Sequence, residues 1–260
     1  MKIGITGARG FVGGHLTGQL RAEGHEVVAL VCRLESEAMP EMPEGLDALI
    51  HAAYDFSAQD DRNVTGSIRI FDAARNAGVN RLVFISSLSA FEGCKSRYGA
   101  SKLLVERHVA DVGGCSVRLG FVCDDSGRGL SGSLKKLAAL PIVPLPGGGD
   151  QNLFTIRAED LGTAFLEILR ECRNDVVNLA HPEPVSLARM MRAFAKQPER
   201  RGLFLPFPWR LLWAPLRVAE ALGIRLPFRS DSLVSLMNQD SAPDFSRLRD
   251  LGITLRTFES

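Results

Sequence analysis

The feature that most constrains this chain is a glycine loop between its first apolar segment and its first helical pattern. The segment Lys2–Thr6 runs directly into Gly7, Gly10 and Gly13, which are spaced three residues apart. Apolar residues at helical spacing then continue over 11–23. After a strand, such glycines permit a tight turn, a close approach of the backbone to a diphosphate, and close helix–strand packing. The loop therefore predicts a dinucleotide-binding unit, with a purely structural glycine turn as the alternative.

Apolar runs without polar alternation recur along the chain, separated by amphipathic stretches. Such runs are typical of strands buried on both faces, and strand–helix repetition favours right-handed crossovers in a parallel sheet. The predicted strands are 2–6, 26–32, 47–53, 81–86, 116–119, 154–157 and 176–180, and the predicted helices are 11–23, 64–77, 98–111 and segments beginning at 160 and 185. We predict an α/β fold, a doubly wound Rossmann-type parallel sheet with a small C-terminal substrate-binding lobe.

Length and composition favour one main domain with an appended lobe. The 260 residues are 45% hydrophobic and 23% charged, which is an ordinary globular composition. We assign residues 1–150 to the dinucleotide-binding domain, and residues 151–260 to the remaining core elements and the lobe. Residues 140–150 are rich in Pro and Gly and are predicted to form a loop.

Net charge, cysteine content and apolar patterning indicate which partners and which compartment to expect. The net charge of +1 gives no electrostatic footprint for nucleic acid. Five cysteines without a C-x-x-C pair are typical of reduced thiols in a cytoplasmic protein, and the scattered histidines predict no metal site. No apolar run reaches transmembrane length, and the N-terminus lacks a signal-peptide pattern. We therefore expect a cytoplasmic protein without a membrane partner.

One segment of the C-terminal part keeps two interpretations open. Residues 206–228 combine Trp209 and Trp213 with aliphatic residues and arginines. We predict a core helix of the lobe, or a lid. A helix that lies on a membrane surface is the alternative.

Tyr98 and Lys102 provide an acid/base pair. Their i, i+4 spacing places both side chains on one helix face, although a surface pair on an ordinary helix has the same spacing. A neighbouring ammonium lowers the pKa of a phenol from about 10. The phenol then exchanges a proton with a substrate oxygen while hydride moves to or from a nicotinamide. Ser86 and Ser87 end a predicted strand, where a hydroxyl is well placed to bind the reacting oxygen.

The end of the second predicted strand bears on the choice of cofactor. An acidic residue there would bind the adenosine ribose, whereas Arg33 stands at this point and Arg9 lies inside the glycine loop. Two guanidinium groups are suited to bracket a 2′-phosphate. The two arginines therefore favour NADP as the cofactor, whereas Glu35 leaves NAD as an alternative.

Together these motifs resemble the extended short-chain dehydrogenase/reductase superfamily, of the NAD(P)-dependent epimerase/dehydratase kind. The resemblance covers roughly the whole chain, and Arg118, Asp160 and Asn178 match its later landmarks. It implies that Ser87, Tyr98 and Lys102 are catalytic. The cofactor-binding residues that it implies are Gly7, Arg9, Gly10, Phe11, Val12, Gly13, Arg33, His51, Ala52, Ala53, Ser86 and Lys102. We interpret the side chain of His51 as part of the core.

The resemblance also bears on substrate and assembly. Arg229-Ser230-Asp231 is similar to the segment that contacts the diphosphate of a nucleotide sugar, so Arg229 is the predicted substrate-binding residue. Two departures are a short connection before Asp47, which leaves little room for a third strand, and a short loop between Ser87 and Tyr98. Family members often dimerise through the Tyr–Lys helix, which makes a homodimer possible.

The leading hypothesis is therefore an NAD(P)-dependent epimerase, dehydratase or reductase acting on a nucleotide sugar. The short loop before Tyr98 keeps a reductase of a small carbonyl compound as an alternative. A catalytically silent NADP-binding sensor or scaffold is the alternative from a different class.

Overall fold

The computed structural model describes residues 1–36, 41–56, 60–171, 174–195, 202–224 and 228–259. In chain order, the first elements are β1 (Lys2–Thr6), α1 (Phe11–Ala22), β2 (Glu26–Leu30), β3 (Ala48–His51), α2 (Asp60–Asn76), β4 (Arg81–Ser87), α3 (Arg97–Asp111), β5 (Cys115–Leu119), β6 (Phe121–Cys123) and α4 (Gly129–Ala138). The remaining elements are β7 (Ile142–Pro146), β8 (Asn152–Leu153), β9 (Thr155–Arg157), α5 (Leu161–Arg170), β10 (Asp175–Leu179), β11 (Val185–Ser186), α6 (Leu187–Phe194), β12 (Leu203–Phe207), α7 (Trp209–Ala221), α8 (Ser230–Met237) and α9 (Ser246–Asp250).

The main sheet is parallel and doubly wound, which confirms the predicted fold class. Its strand order is β10-β5-β4-β3-β1-β2. The chain first builds outward from β1 to β2 and then returns to the other side of β1 to place β3. At this reversal Thr6 ends β1 beside its register partner His51 at the end of β3. In such sheets a crevice opens at the carboxyl ends of the strands where the order reverses, and ligands bind there.

Both faces of the sheet are covered, as the continuous apolar strands predict. One cluster joins β1 to α1 and α5 and includes Ile5, Leu16 and Phe165. The other cluster joins β3 and β4 to α2 and α3 and includes Phe71 and Phe84. Full burial of one such side chain contributes about 1.5–3 kcal/mol, so these two layers hold the sheet together.

The connection from β2 to β3 forms no strand in its described residues, 31–36 and 41–47. Instead α2 packs directly against Leu34, where a Cβ added at Gly66 would lie 2.4 Å from the Leu34 carbonyl oxygen. The Arg69 guanidinium also donates a hydrogen bond to that oxygen, at 3.2 Å. The loop that follows β2 thus packs closely on α2.

Five short strands outside the main sheet, β6, β7, β8, β11 and β12, were not predicted from the sequence. Residues 140–150 were predicted to be a loop, and this was wrong for β7, which pairs in parallel with β12 along its whole length. Pro144 and Pro146 lie within β7. A two-stranded ribbon tolerates proline because each strand has an unpaired edge.

The prediction of a core helix within residues 206–228 was also wrong. The helix α7 forms there, but none of its residues is buried. It packs on α8 through one side only, and Leu212 and Leu216 are half-buried while Leu211 and Val218 are exposed. Residues 225–227 lie outside the described residues. Among the described helices, none is long and apolar enough to cross a membrane.

Two helical glycines give a matched test of this packing. We expect Gly66→Ala to lower the free energy of unfolding by about 1–3 kcal/mol, because the new methyl group meets backbone that must shift. Gly18 on α1 has nothing within 4 Å of an added Cβ. Gly18→Ala should therefore raise the free energy of unfolding by up to about 1 kcal/mol through helix propensity alone. Urea denaturation measures both variants, and equal effects would contradict the close contact at Leu34.

Candidate active site

The glycine loop brings β1, α1 and β3 into contact at the reversal point. Gly7 has a φ of 67°, and a Cβ there would lie 2.8 Å from the backbone of Ala52 and Ala53. A Cβ on Gly13 would lie 2.2 Å from the Gly7 carbonyl oxygen. Both positions therefore require glycine. Gly7 has a positive φ and no room for a side chain, whereas Gly13 only lacks room for a side chain.

The start of α1 is open toward the crevice. Its cap is Gly10, which makes no side-chain hydrogen bond, and its first turn holds no acidic residue. A Cβ at Gly10 would meet only the Gly7 carbonyl oxygen, at 3.1 Å. The first N–H groups of a helix lack intrahelical acceptors and lie at its positive end, which suits an anion. The loop and helix start therefore fit the diphosphate of a dinucleotide.

His51 belongs to the core beneath this loop. Its side chain is fully buried, with Nδ1 2.6 Å from the Thr6 hydroxyl and Nε2 2.9 Å from the Ser67 hydroxyl. Burial, together with the charge of Lys102, lowers the pKa of His51 to about 3, so the ring is neutral. The Thr6 hydroxyl also accepts hydrogen bonds from the backbone of Ala52 and Ala53. This network positions the backbone at the end of β3.

The N-terminus of α3 is pressed against the loop that follows β4. A Cβ at Gly99 would lie 2.1 Å from the Ser89 carbonyl oxygen. The Ser96 hydroxyl caps the helix by accepting from the Gly99 N–H at 3.1 Å. The short connection between Ser87 and Tyr98 is therefore tightly packed, and it holds both residues at the carboxyl end of the sheet.

Tyr98 and Lys102 meet in an aromatic environment. The Tyr98 ring lies 5.0 Å from the Tyr54 ring. Lys102 Nζ lies 4.6 Å from the centroid of Phe84, 5.0 Å from that of Tyr54 and 5.7 Å from that of Tyr98. It donates a hydrogen bond to the Ile85 carbonyl oxygen at 2.8 Å. The ammonium thus lies beneath the phenol rather than in solvent.

Burial changes the proton affinity of both groups. It lowers the pKa of Lys102 to about 7, against the opposing charge of Glu106. Burial and the nearby Tyr54 raise the pKa of Tyr98, and a hydrogen bond with Ser87 opposes that rise. In this state Tyr98 is a neutral phenol, which is the form that donates a proton to a carbonyl oxygen.

Glu106 is a residue of the site that the sequence analysis missed. It is buried and accepts a bidentate pair of hydrogen bonds from Arg118, at 3.0 Å from Nε and 2.7 Å from Nη2. The Ser86 hydroxyl also donates to it. The sequence pattern that could have identified Glu106 is its position four residues after Lys102, on the face of α3 that bears Tyr98.

A cleft of about 750 Å³ opens between the glycine loop, the start of α3 and the lobe. The predicted site residues that line it are Gly10, Phe11, Val12, Gly13, Ala52, Ser86, Ser87, Tyr98, Lys102 and Arg229. The predicted residues that do not line it are Gly7, Arg9, Arg33, His51 and Ala53. Arg9 and Arg33 are exposed, whereas Gly7, His51 and Ala53 support the loop from below.

The lobe is tied directly to α3. The Asp231 carboxylate accepts hydrogen bonds from the backbone N–H groups of Arg97 and Tyr98, each at 3.0 Å. Nearby, Arg229 donates to the Phe56 carbonyl oxygen at 2.6 Å. An acid at a helix start is stabilised by the free N–H groups and the helix dipole. The segment that contains Arg229 therefore also positions the backbone of Tyr98.

Comparison with known proteins agrees with this site. The model of the NAD dependent epimerase/dehydratase family matches residues 3–180. An uncharacterized protein of Mycobacterium tuberculosis is 27% identical over 217 residues, which are 75% of this chain and 23% of that protein. The ceramide reductase of Caulobacter vibrioides is 29% identical over 203 residues, 68% of this chain and 62% of that protein. This chain thus spans less than two thirds of either relative.

Solved structures share the fold over nearly the whole chain. MoeE5 in complex with UDP-glucose and NAD superposes with a TM-score of 0.74 at 20% identity, over 99% of this chain and 94% of that one. The family match covers more than half of the chain. The chain therefore belongs to the NAD dependent epimerase/dehydratase family.

The buried ammonium predicts a pH dependence of stability. Unfolded Lys102 has a pKa of about 10.4, so from pH 7 to 9 the unfolded chain holds a proton that the folded chain releases. The free energy of unfolding therefore rises with pH in this window, by about 2 kcal/mol relative to Lys102→Met. Urea denaturation of both proteins at pH 7, 8 and 9 measures the difference. Parallel pH profiles would contradict a depressed pKa at Lys102.

Proposed function

We propose that this chain catalyses NADP-dependent hydride transfer at a hydroxyl- or carbonyl-bearing carbon of a nucleotide sugar. The observation that carries the proposal is the convergence of Ser87, Tyr98 and Lys102 in one cleft with the open start of α1. The helix start is suited to a dinucleotide diphosphate, and the three side chains are suited to the oxygen of a reacting carbon.

Ser87, Tyr98 and Lys102 each have a separate role in proton transfer. Tyr98 gives its phenolic proton to the substrate carbonyl oxygen, or takes a proton from a hydroxyl in the reverse direction. Ser87 hydrogen-bonds the same oxygen and Tyr98, which orients both. Lys102, protonated when anionic groups enter the cleft, stabilises the phenolate. The bound nicotinamide would supply or receive the hydride.

Cationic side chains in the cleft support a diphosphate-containing substrate. Arg97, Arg217 and Arg229 line it together, and Gln239 adds an amide. Guanidinium groups bind phosphate oxygens in bidentate fashion, and an amide pairs with a nucleobase or a sugar hydroxyl. Asp231 links this end of the cleft to the Tyr98 backbone, so a substrate held there meets the acid/base directly.

A second candidate is a reductase of an apolar carbonyl compound. The cleft walls include the apolar side chains Phe56, Leu130, Leu153, Trp213 and Phe228. The relative in Caulobacter vibrioides is a ceramide reductase. Calorimetric titration of the NADPH-saturated protein with UDP-, GDP- and dTDP-sugars separates the two. Heat from one nucleotide sugar supports the first candidate, and NADPH oxidation with long-chain ketones alone supports the second.

Tyr98→Phe tests the acid/base assignment. It should lower kcat about 10²–10⁴-fold, because the ring stays in place while the transferable proton is lost. The matched control is Tyr54→Phe, which removes the other phenol of the same ring pair. We expect the control to change kcat less than about tenfold, since Tyr54 holds the ring environment rather than the reacting proton. Stopped-flow NADPH oxidation measures both, and similar losses would contradict the assignment.

Arg33→Ala tests the choice of NADP. The variant should bind NADPH about 10–100-fold more weakly and leave NADH affinity unchanged, because only NADPH has a 2′-phosphate for the guanidinium. Arg107→Ala is the control, since Arg107 is an exposed arginine of α3 that pairs with Glu92 at 3.1 Å. Fluorescence titration measures both affinities. Equal loss for the two cofactors would contradict a 2′-phosphate contact.

A further inference from the structure

The helix α7 presents an apolar stripe to solvent. Leu211, Pro215, Val218 and Leu222 follow one another at spacings of four, three and four residues, which places them on one side of the helix. Their exposed fractions are 61% for Leu211, 60% for Val218 and 71% for Leu222. A helix whose aliphatic residues face water in this way leaves an apolar surface uncovered.

The strand before α7 also exposes apolar residues. Leu203, Leu205 and Phe207 alternate along β12, so they share one face, and all three are exposed. Ile142, the register partner of Leu203 on β7, is 58% exposed. Only Pro208 separates β12 from α7. We call the exposed residues of this segment the β12–α7 face; they are Leu203, Leu205, Phe207, Leu211, Val218 and Leu222.

The segment that carries this face is rich in basic residues. Residues 200–229 contain six arginines and a single acidic residue, Glu220, in a chain whose net charge is +1. Arg210 and Arg217 are exposed and lie over the rings of Trp209 and Trp213, at 5.8 and 5.9 Å. Arg200, Arg201 and Arg225 lie outside the described residues. Glu220 accepts hydrogen bonds from the backbone and hydroxyl of Ser230, and it also pairs with Arg217 at 3.5 Å.

We propose that the β12–α7 face binds the surface of an anionic phospholipid membrane. Aliphatic side chains enter the boundary between headgroups and acyl chains, tryptophan rings prefer that boundary, and arginines pair with lipid phosphates. An anionic bilayer has a negatively charged surface above an apolar interior, and so matches both properties of this face. A water-soluble partner protein would need to combine acidic and apolar residues on one surface.

Membrane contact at this face has a consequence for the cleft. Trp213, Arg217 and Glu220 are on α7 and also line the cleft. A docked α7 therefore places the cleft mouth beside the lipid headgroups. Substrates with an apolar chain then reach the cleft from the bilayer without crossing water, which agrees with the apolar walls of the cleft.

Co-sedimentation with vesicles tests the proposal on the full chain. We expect binding to vesicles of phosphatidylcholine with phosphatidylglycerol, weaker binding to phosphatidylcholine alone, and a loss of binding at high salt. The double variant Leu211→Glu, Val218→Glu should bind the anionic vesicles at least about tenfold more weakly. Val176→Glu is the matched control, an exposed apolar residue on the edge strand β10, 39% exposed.

NADPH titration of each variant shows that it is folded and separates this proposal from the proposed function. Equal binding of the double variant and the wild type to anionic vesicles would overturn the proposal, as would no binding of the wild type. Light scattering provides a further check. A dimer that the double variant converts to a monomer, without vesicle binding by the wild type, would assign the face to a second copy of the chain instead.

Discussion

The contact between Gly13 and the carbonyl of Gly7 is the constraint on which the rest of the site depends. It brings the start of α1 onto the ends of β1 and β3, where a side chain at either position would collide with backbone. The strand order reverses at this same point, so a crevice opens over these N–H groups. The suitability of the loop for phosphate is thus a consequence of close packing, before any charged side chain contributes.

A second chain of interactions runs through α3. Tyr98, Lys102 and Glu106 follow one another at four-residue intervals, from the cleft to the buried ion pair with Arg118. Burial keeps Tyr98 protonated and makes Lys102 sensitive to any charge that enters above it. Under the proposed function, anionic groups that enter the cleft above Lys102 change the proton affinity of the Tyr98 phenol. The contact of Asp231 with the helix start couples the lobe to this process.

The parallel sheet was predictable because buried strands require continuous apolar runs, and the glycine loop and the Tyr–Lys pair follow from local spacing. The strand order was not predicted. The exposure of α7 was not predictable, since Leu211 and Val218 are equally compatible with a core and a surface until the neighbours of the helix are known. Strand β7 was missed because proline is normally excluded from strands. Pro144 is tolerated because β7 pairs only with β12 and has an unpaired edge. Glu106 was missed because an acid on a helix usually faces water.

The central claim is that the glycine loop holds a dinucleotide in front of Tyr98. Isothermal titration calorimetry of the wild type and of Gly13→Ala with NADPH and NADH tests it most directly, with circular dichroism as the check on folding. We expect the wild type to bind one NADPH per chain and a folded Gly13→Ala protein to lose this binding. A wild type that binds neither cofactor, or a Gly13→Ala variant that binds as tightly as the wild type, would contradict it.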